Sequence, residues 1–441
     1  MYVCNNCWNE SIKWAWQCSF CKEWNSLVEF KESKIKSWSS SWTKKELSKI
    51  SDDIKDNKDK IITTSKELNN LLWWGITPWS IILLSGEPGI WKSTLSLQLA
   101  DFIDKEIIYI SWEENENQIL QRAKRLNINS KKTSLLIENN LENIKETLRT
   151  SKADLVILDS ISVISSNNVG WSAWSISQVK EIAEKMVDFW KTTNTTVIII
   201  WHVNKDWWLA WPKTLEHIVD IVLFFEWERY EDIRILRSLK NRFWSTWEVA
   251  LFKMWEFWLQ DLQNPWLEFI SNENTNQTIW SSLSITMEWN RPIVVEIESL
   301  TTYTKFWYPK RSSRWIPTQK LDLILAVLWK YSKVNLDSFD VYINIVRWLK
   351  IDEPWIDLSI WAAIISSKLN KSLPRDTIFI GEISLTWMIK NCMNLEKRIK
   401  EAIKLWFKNI IIPDIDIKLE KEVNILKVKN IANLVEKITS F

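Results

Sequence analysis

A glycine-rich loop that follows a short apolar run is the part of this sequence most suited to chemistry. Residues 81–84 predict a buried strand, residues 94–100 predict a helix, and the loop between them reads GEPGIWKS. In such a loop, backbone N–H groups and the positive end of the helix surround phosphate oxygens, a lysine reaches the β- and γ-phosphates, and a hydroxyl binds Mg²⁺. The predicted ligands of ATP and Mg²⁺ are Gly86, Glu87, Pro88, Gly89, Ile90, Trp91, Lys92, Ser93 and Thr94.

Polar side chains follow three other strand-like runs. Residues 153–160 (ADLVILDS) close on Asp159, residues 106–111 (EIIYIS) are followed by Glu113 and Glu114, and residues 195–200 run into His202. A carboxylate at the end of a parallel strand beside a phosphate loop is the usual second anchor for Mg²⁺, which predicts that role for Asp159. We expect His202 to lie where a polar side chain senses the γ-phosphate.

Four of the five cysteines form two CxxC pairs separated by ten residues: Cys4, Cys7, Cys18 and Cys21. Each CxxC turns two sulfur atoms towards one tetrahedral ion, so the spacing predicts a Zn²⁺ site with four thiolate ligands. Disulfides are the alternative, and the absence of a secretory signal disfavours them. Cys392 is predicted to be a small buried hydrophobic residue.

Composition and periodicity predict an α/β protein with several parts. We predict a zinc module over residues 1–28, a Lys-, Ser- and Asp-rich linker over 29–60, a phosphate-loop ATPase domain with a parallel sheet over 61–280, and a second α/β unit over 281–441. A predicted helix over 214–219 contains His217, which we expect to be a packed or surface residue. The net charge of +2 confines any nucleic-acid contact to local patches. No apolar run is long enough to cross a membrane, so a cytoplasmic location is expected.

Tryptophan and glycine are present in unusual numbers. The chain has 34 tryptophans and 5 glycines, and many tryptophans, such as Trp91 in the phosphate loop, occupy turn and loop positions where glycine is favoured. Our hypothesis is that most of these positions are encoded by UGA, read as glycine in the source cell. A protein truly rich in tryptophan is the alternative, and turns give indole rings no packing advantage.

The motifs together resemble the RadA (Sms) family of bacterial DNA repair proteins, over essentially the whole chain. With turn tryptophans read as glycine, the similar blocks include CNNC, LSGEPGIWKSTL, YISWEE, VILDSI, KDWWLAWPKTLEH, LKNRFWST and FWYPKRSSR, whereas Trp14 and Trp24 match true tryptophans. The resemblance implies a RecA-like ATPase in which Lys92 and Glu113 are catalytic, Glu113 orienting the attacking water. Glu114 is the competing residue for that role.

The resemblance also implies partners. The segment Lys240, Asn241, Arg242, Phe243 and Trp244 matches the KNRFG motif of the family, whose cations would contact DNA or the ATP of a neighbouring subunit. A solvated strand end is the alternative. The family further implies single-stranded or branched DNA as a partner, a recombinase, and a homo-hexameric ring.

The C-terminal unit resembles the peptidase domain of Lon-type proteases. Trp355 and Glu396 stand at the positions of the serine and lysine that such proteases need, so no proteolytic dyad is expected. We predict strands at 293–300, 340–345 and 377–380 and helices at 320–328 and 360–367. Basic residues beside Phe306 and Tyr308 have the composition of a surface that binds DNA phosphates and stacks on bases. The predicted DNA-binding residues are Lys305, Lys310, Arg311 and Arg314, and a solvated charge run is the alternative.

The function expected from the sequence is that of a DNA-dependent ATPase that moves on recombination intermediates, with ATP, Mg²⁺ and Zn²⁺ as ligands. A DNA-binding or adaptor protein that does not hydrolyse ATP is the alternative, which an indole ring at position 91 would favour. An ATP-dependent protease is disfavoured because the dyad is missing.

Overall fold

The fold is described from a computed structural model. It describes residues 2–4, 10–11, 13–19, 21–29, 60–87, 89, 91–128, 130–166, 176–202, 215–227, 232–246, 248–256, 258–262, 270, 277–332, 334–346, 351, 353–417 and 423–440. Five predictions lie outside the described residues: the ligands Pro88, Ile90 and Cys7, the role of the His202 side chain, and the linker, of which residues 30–59 are not described.

Helices and strands alternate through most of the chain. The strands are β1 (Tyr2–Cys4), β2 (Glu10–Ser11), β3 (Leu27–Glu29), β4 (Ile81–Gly86), β5 (Ile107–Ser111), β6 (Thr133–Ile137), β7 (Leu155–Asp159), β8 (Thr196–His202), β9 (Ile221–Trp227), β10 (Ile233–Asn241), β11 (Val249–Trp255), β12 (Trp258–Asp261), β13 (Gln277–Ile279), β14 (Ser281–Glu288), β15 (Arg291–Tyr303), β16 (Arg311–Arg314), β17 (Phe339–Ile345), β18 (Ser372–Pro374), β19 (Thr377–Phe379), β20 (Glu382–Ile383), β21 (Ile389–Lys390), β22 (Asn409–Pro413) and β23 (Asn424–Val428). The helices are α1 (Lys66–Leu71), α2 (Lys92–Phe102), α3 (Glu116–Arg125), α4 (Leu141–Thr150), α5 (Ile176–Thr193), α6 (Thr318–Tyr331), α7 (Asp357–Leu369), α8 (Leu395–Lys404) and α9 (Ile431–Ser440).

The chain divides into two compact units. The first comprises Met1–Glu226, Leu236–Thr246 and Met254–Gln260, and the second comprises Trp227–Ile235, Trp247–Lys253 and Asp261–Phe441. The domain boundaries expected at residues 60/61 and 280/281 stay predictions. Within the described ranges, no helix is long and apolar enough to span a membrane.

A small antiparallel sheet forms the N-terminal module. Its strand order is β2-β1-β3, and β1 pairs antiparallel with both neighbours. Among the described residues of this module, Cys4, Cys18 and Leu27 form a buried hydrophobic cluster with Cys21 packed against it, and Ser26 is also buried. A module this short is too small to be stable through a hydrophobic core alone, so we expect it to depend on a bound metal ion.

A parallel sheet is the centre of the first unit. Its parallel strands lie in the order β9-β4-β8-β7-β5-β6. Strands β4 and β7 are buried along their whole length, as runs of Ile, Leu and Val in a sheet covered on both faces should be. The sheet confirms the expected parallel α/β core, and places Asp159 opposite Ser111 and Gly86 opposite His202.

Local sequence explains where several helices of this unit begin. Asn115 and Gln118 form a capping box at the start of α3, and the Asn140 side chain accepts from two backbone N–H groups at the start of α4. Residues 214–219 were expected to be helical; among the described residues 215–220 the helical backbone covers only 215–216, and a turn follows. Neither β6 nor α4 is predicted from the sequence pattern.

The second unit contains a seven-stranded mixed sheet. The strand order is β16-β17-β15-β14-β19-β22-β23. The strands expected at 293–300, 340–345 and 377–380 are confirmed within β15, β17 and β19, and the helices expected at 320–328 and 360–367 are confirmed within α6 and α7. Helix α7 is buried almost throughout because it packs against the sheet as the centre of the core.

Many tryptophans adopt the left-handed backbone conformation. Such a conformation costs a residue with a Cβ atom about 1–2 kcal/mol, and asparagine tolerates it better than most. Of the described residues other than glycine, five asparagines, Lys22, Glu256 and nine tryptophans have a positive φ. These tryptophans are Trp73, Trp74, Trp79, Trp91, Trp280, Trp289, Trp315, Trp387 and Trp406. The backbone therefore supports the hypothesis that glycine belongs at these positions.

Candidate nucleotide and metal sites

The predicted phosphate loop connects β4 to α2 at the carboxyl end of the parallel sheet. Strand β4 ends at Gly86, and α2 begins at Lys92 after Trp91, whose φ is 75°. Gly89 has a φ of +74°, and a Cβ atom added there would meet nothing within 4 Å. The loop therefore has the strand–loop–helix context that phosphate binding requires, with Trp91 in a conformation suited to glycine.

Lys92 is buried at the mouth of this loop. Its ammonium group donates hydrogen bonds of 2.7 Å to the carbonyl oxygens of Gly86 and Glu87. Burial lowers the pKa of Lys92 to about 8, and the carboxylates of Asp159, Glu113 and Glu87 oppose this shift. A phosphate group at the loop would meet this ammonium, and its negative charge would raise the lysine pKa again.

Asp159 ends strand β7 and is 4% exposed. The Tyr109 hydroxyl donates a hydrogen bond of 2.6 Å to Asp159 Oδ2. Burial raises the pKa of Asp159, and the Tyr109 and Ser93 hydroxyls oppose the shift. Ser93 approaches the carboxyl group, but Oδ1 makes no hydrogen bond of standard geometry to a described residue. Mg²⁺ binds through oxygen atoms, and Asp159 Oδ1 and the Ser93 hydroxyl are two oxygen atoms of the kind that it takes.

The two adjacent glutamates after β5 have different neighbours. Glu113 Oε1 accepts a hydrogen bond from Ser160 Oγ at 2.5 Å, and Ser162 Oγ lies 3.4 Å from the same oxygen. Glu114 forms an ion pair with Arg122 of helix α3. Glu113 acts on the Lys92 pKa, and both glutamates act on the pKa of Asp159. Which of the two orients water stays a prediction.

The cations of the KNRF segment bond within the chain. Lys240 Nζ donates to the carbonyl oxygens of Glu216 and Val219, and burial lowers its pKa. Arg242 pairs with Asp220 at 3.1 Å and donates to the His217 carbonyl at 3.0 Å.

Asp220 in turn accepts from the Ile81 backbone N–H at 3.0 Å. These bonds connect the KNRF segment, the turn at 215–220 and the start of β4. Asn241 accepts from the Phe243 N–H, and Trp244 stacks on Trp73. The contacts of the two cations with DNA or with ATP of a neighbouring subunit stay predictions.

The two histidines occupy different places. The backbone of His202 ends β8 opposite Gly86, at the start of the phosphate loop. His217 is exposed and contributes its carbonyl oxygen to Arg242.

Three of the predicted zinc ligands converge. The sulfur atoms of Cys4, Cys18 and Cys21 all lie within 4.8 Å of one another, and those of Cys4 and Cys21 are 3.5 Å apart. None of the described cysteines is in a disulfide. Three clustered thiols, with Cys7 three residues after Cys4, fit a tetrahedral Zn²⁺ site.

The basic segment before α6 is exposed and rich in aromatic rings. Tyr303, Phe306 and Tyr308 are 67%, 55% and 84% exposed. Lys310 Nζ lies 3.9 Å from the centre of the Phe306 ring, and Arg311 is 3.5 Å from Asp322. The four predicted DNA-binding cations thus flank exposed rings, and their role stays a prediction.

The expected positions of a proteolytic dyad hold other contacts. The Arg398 guanidinium lies 5.1 Å from the centre of the Trp355 ring, and it bonds Glu353 through two nitrogens at 2.9 and 2.7 Å. Glu396 lies exposed in the first turn of α8. A buried ion pair therefore lies beside the position where a protease would have its serine.

The sequence pattern does not identify Tyr109, Ser160 and Ser162, which contact the predicted site residues Asp159 and Glu113. Tyr109 is 50 residues from Asp159 in sequence, so only the pairing of β5 with β7 brings the two together. The sequence could have identified Ser160, because this serine directly follows Asp159, the predicted magnesium ligand.

Known proteins resemble this chain over nearly its whole length. Residues 2–29 match the rubredoxin metal binding domain family. The DNA repair protein RadA of Listeria monocytogenes is 37% identical over 99% of this chain and 97% of its own length. RadA of Rickettsia bellii is 39% identical over 93% of this chain and 92% of its own length. RadA of Aquifex aeolicus is 37% identical, covering 99% of this chain and 98% of its own.

Two solved structures resemble part of the chain. The RadB recombinase has a TM-score of 0.38 and 21% identity, covering 46% of this chain and 100% of that one. The second structure is an ATPase domain with a TM-score of 0.40 and 13% identity, covering 49% of this chain and 97% of its own.

Proposed function

Since the chain belongs to the RadA family of bacterial DNA repair proteins, we propose that it is a DNA-dependent ATPase of recombinational repair. It couples ATP hydrolysis to movement on single-stranded or branched DNA, as in branch migration. The observation that carries the proposal is that Lys92, Asp159 and Glu113 follow strands β4, β7 and β5 of one parallel sheet at their carboxyl ends, and that both carboxylates act on the Lys92 pKa. This is where a nucleotide binds in sheets of this kind.

Each of the three residues has a separate task in hydrolysis. The Lys92 ammonium neutralises charge on the β- and γ-phosphates, and the helix α2 N-terminus adds backbone N–H groups. Ser93 and Asp159 would hold Mg²⁺, which supplies positive charge to the phosphate oxygens when bound. Glu113 aligns a water molecule with the γ-phosphorus, so that a P–O bond to water forms as the bond to ADP breaks.

Other parts of the chain support binding and assembly. We assign Zn²⁺ to the cysteine module, DNA phosphates to Lys305, Lys310, Arg311 and Arg314, and bases to the neighbouring aromatic rings. The second unit, without a serine–lysine dyad, serves as a scaffold for a homo-hexameric ring and for DNA contact. A recombinase is the expected partner, in the cytoplasm.

ATP turnover with and without DNA tests the proposal. Full-length protein with glycine at the tryptophan positions that we infer to be encoded by UGA should release phosphate from ATP faster when single-stranded DNA is added at low salt. Lys92→Ala should lower turnover by about a hundredfold or more, because the phosphate charge loses its main partner. Equal turnover with and without DNA would contradict the motor function, and retained turnover in the variant would contradict the assigned loop.

A DNA-binding adaptor that does not hydrolyse ATP is the second candidate. It rests on Trp91, because an indole ring in the loop would compete with phosphate for space. DNA binding without measurable turnover, in the chain with glycine at position 91, would favour this candidate.

A further inference from the structure

Two serine hydroxyls and one carboxylate form a chain of hydrogen bonds beside the phosphate loop. Ser160 is fully buried, and its Oγ lies 2.5 Å from Glu113 Oε1 and 2.5 Å from Ser162 Oγ. Ser162 Oγ is farther from the same carboxylate oxygen, at 3.4 Å. The contact between Ser160 and Glu113 is therefore the closer one.

Counting protons fixes the direction of these bonds. An ionised carboxylate only accepts hydrogen bonds, whereas each serine hydroxyl has one proton to donate. Ser160 lies at hydrogen-bond distance from both neighbours, so it donates to Glu113 and accepts from Ser162. A hydrogen bond to a charged acceptor is stronger than one between neutral groups, so this bond holds the Glu113 carboxylate firmly.

The position of Ser160 in the chain means that its hydrogen bond to Glu113 connects two strands. Ser160 directly follows Asp159, and Asp159 lies opposite Ser111 in the pairing of β7 with β5. Glu113 follows β5 by two residues, so the bond ties the ends of two adjacent strands. It thereby fixes the orientation of the glutamate relative to the predicted magnesium ligand. The neighbouring Glu114 is held instead by Arg122.

We propose that Ser160 is a positioning residue for ATP hydrolysis, orienting Glu113 so that its carboxylate aligns the attacking water. The inference rests on the proposed ATPase function. A water-aligning group must be held in a narrow range of orientations, and loss of its anchor lowers the rate of the chemical step without weakening substrate binding. Ser162 donates to Ser160 and so acts on Glu113 indirectly.

Ser160→Ala tests this role in the full-length protein with glycine at the positions that we infer to be read as glycine, and that protein with Ser160 intact is the wild type for the comparison. We expect kcat for ATP to fall about tenfold, the size of effect that one hydrogen bond to a charged group can have. We expect KM, and the affinity for a non-hydrolysable ATP analogue measured by calorimetry, to stay at the wild-type values. Ser162→Ala should lower kcat less, because its hydroxyl acts on Glu113 mainly through Ser160.

Ser238→Ala is the matched control, since Ser238 is also fully buried and its hydroxyl has no hydrogen-bond partner among the described residues. It should leave kcat unchanged. An unchanged kcat in Ser160→Ala would overturn the inference, and so would a loss of kcat accompanied by an equal loss of nucleotide affinity or by a lower unfolding temperature. Wild-type protein without turnover would instead contradict the proposed function itself.

Discussion

At the scale of single residues, Tyr109 shows how one hydroxyl sets the environment of a carboxylate. Tyr109 is a buried residue of strand β5, and its burial raises its pKa well above the ordinary value. The phenol therefore stays protonated and donates to Asp159 Oδ2. One oxygen of the aspartate is thus engaged by protein, and the other is left for the predicted cation.

Tyr109→Phe should weaken the dependence of nucleotide binding on Mg²⁺. Without the donor, the buried Asp159 carboxylate loses a hydrogen bond worth about 1.5–3 kcal/mol, and protonation competes better with the cation. We expect the gain in ATP affinity on adding Mg²⁺, measured by calorimetry, to fall severalfold, with binding in EDTA unchanged. Tyr342→Phe in β17 is the control. An identical Mg²⁺ dependence in both variants would refute the role of Tyr109.

Trp91 allows the recoding hypothesis to be tested at one position. Phosphate oxygens must come within about 2.7–3.2 Å of backbone N–H groups, and an indole ring there would fill that space. Trp91→Gly should therefore increase ATP affinity, measured by calorimetry. Trp14→Gly should not, since Trp14 lies in the cysteine module and donates a hydrogen bond to the Leu27 carbonyl. Equal ATP affinity with tryptophan or glycine at position 91 would remove the physical argument that glycine belongs at this position.

At the scale of elements, the cysteine module depends on its thiols more than on its core. Cys18→Ser should release Zn²⁺ and unfold this module, because the buried cluster among its described residues is small and short thiolate modules fold on their metal ion. The parallel sheet has a separate and much larger core, so ATP binding should persist. Zinc content by metal analysis and ATP affinity by calorimetry measure the two effects. Wild-type protein purified without zinc would refute the site.

In the parallel sheet, β4 and β7 are buried along their whole length, and their runs of Ile, Leu and Val predict both strands from the sequence. The positions of Lys92 after β4 and of Asp159 at the end of β7 follow from these runs, whereas the largely buried β10 is not predicted. Strand β6 lies at the edge of the sheet and is only partly buried, which weakens its signal. The Tyr109–Asp159 and Ser160–Glu113 bonds depend on strand register, which residue patterns do not encode.

At the scale of the whole molecule, the two compact units should respond to different conditions. Nucleotide should stabilise the first unit through the phosphate loop. In the second unit, Asp357 begins α7 and lies 2.8 Å from Lys320. Burial raises the pKa of Asp357 from 3.8 to about 6, while Lys320 opposes the shift. Each unit thus has its own stability determinant.

Asp357→Asn should change the pH dependence of unfolding of the second unit. The folded pKa lies above the unfolded one, so the contribution of Asp357 to stability is full below pH 4 and is lost as the pH rises through 6. Relative to the wild type, the variant should gain up to about 3 kcal/mol between pH 4 and pH 7. Calorimetric unfolding across this range measures the difference. A constant difference would show that Asp357 has no raised pKa.

The nine left-handed tryptophans bear on how this gene can be read. At about 1–2 kcal/mol each, the four in the first unit and the five in the second would cost each unit roughly 4–10 kcal/mol, a large part of the stability of a typical domain, about 5–15 kcal/mol. If these codons are read as glycine in the source cell, a cell whose transfer RNAs insert tryptophan there would make a much less stable chain. The fold would then confine the gene to cells that share its code, and act as a barrier to horizontal transfer.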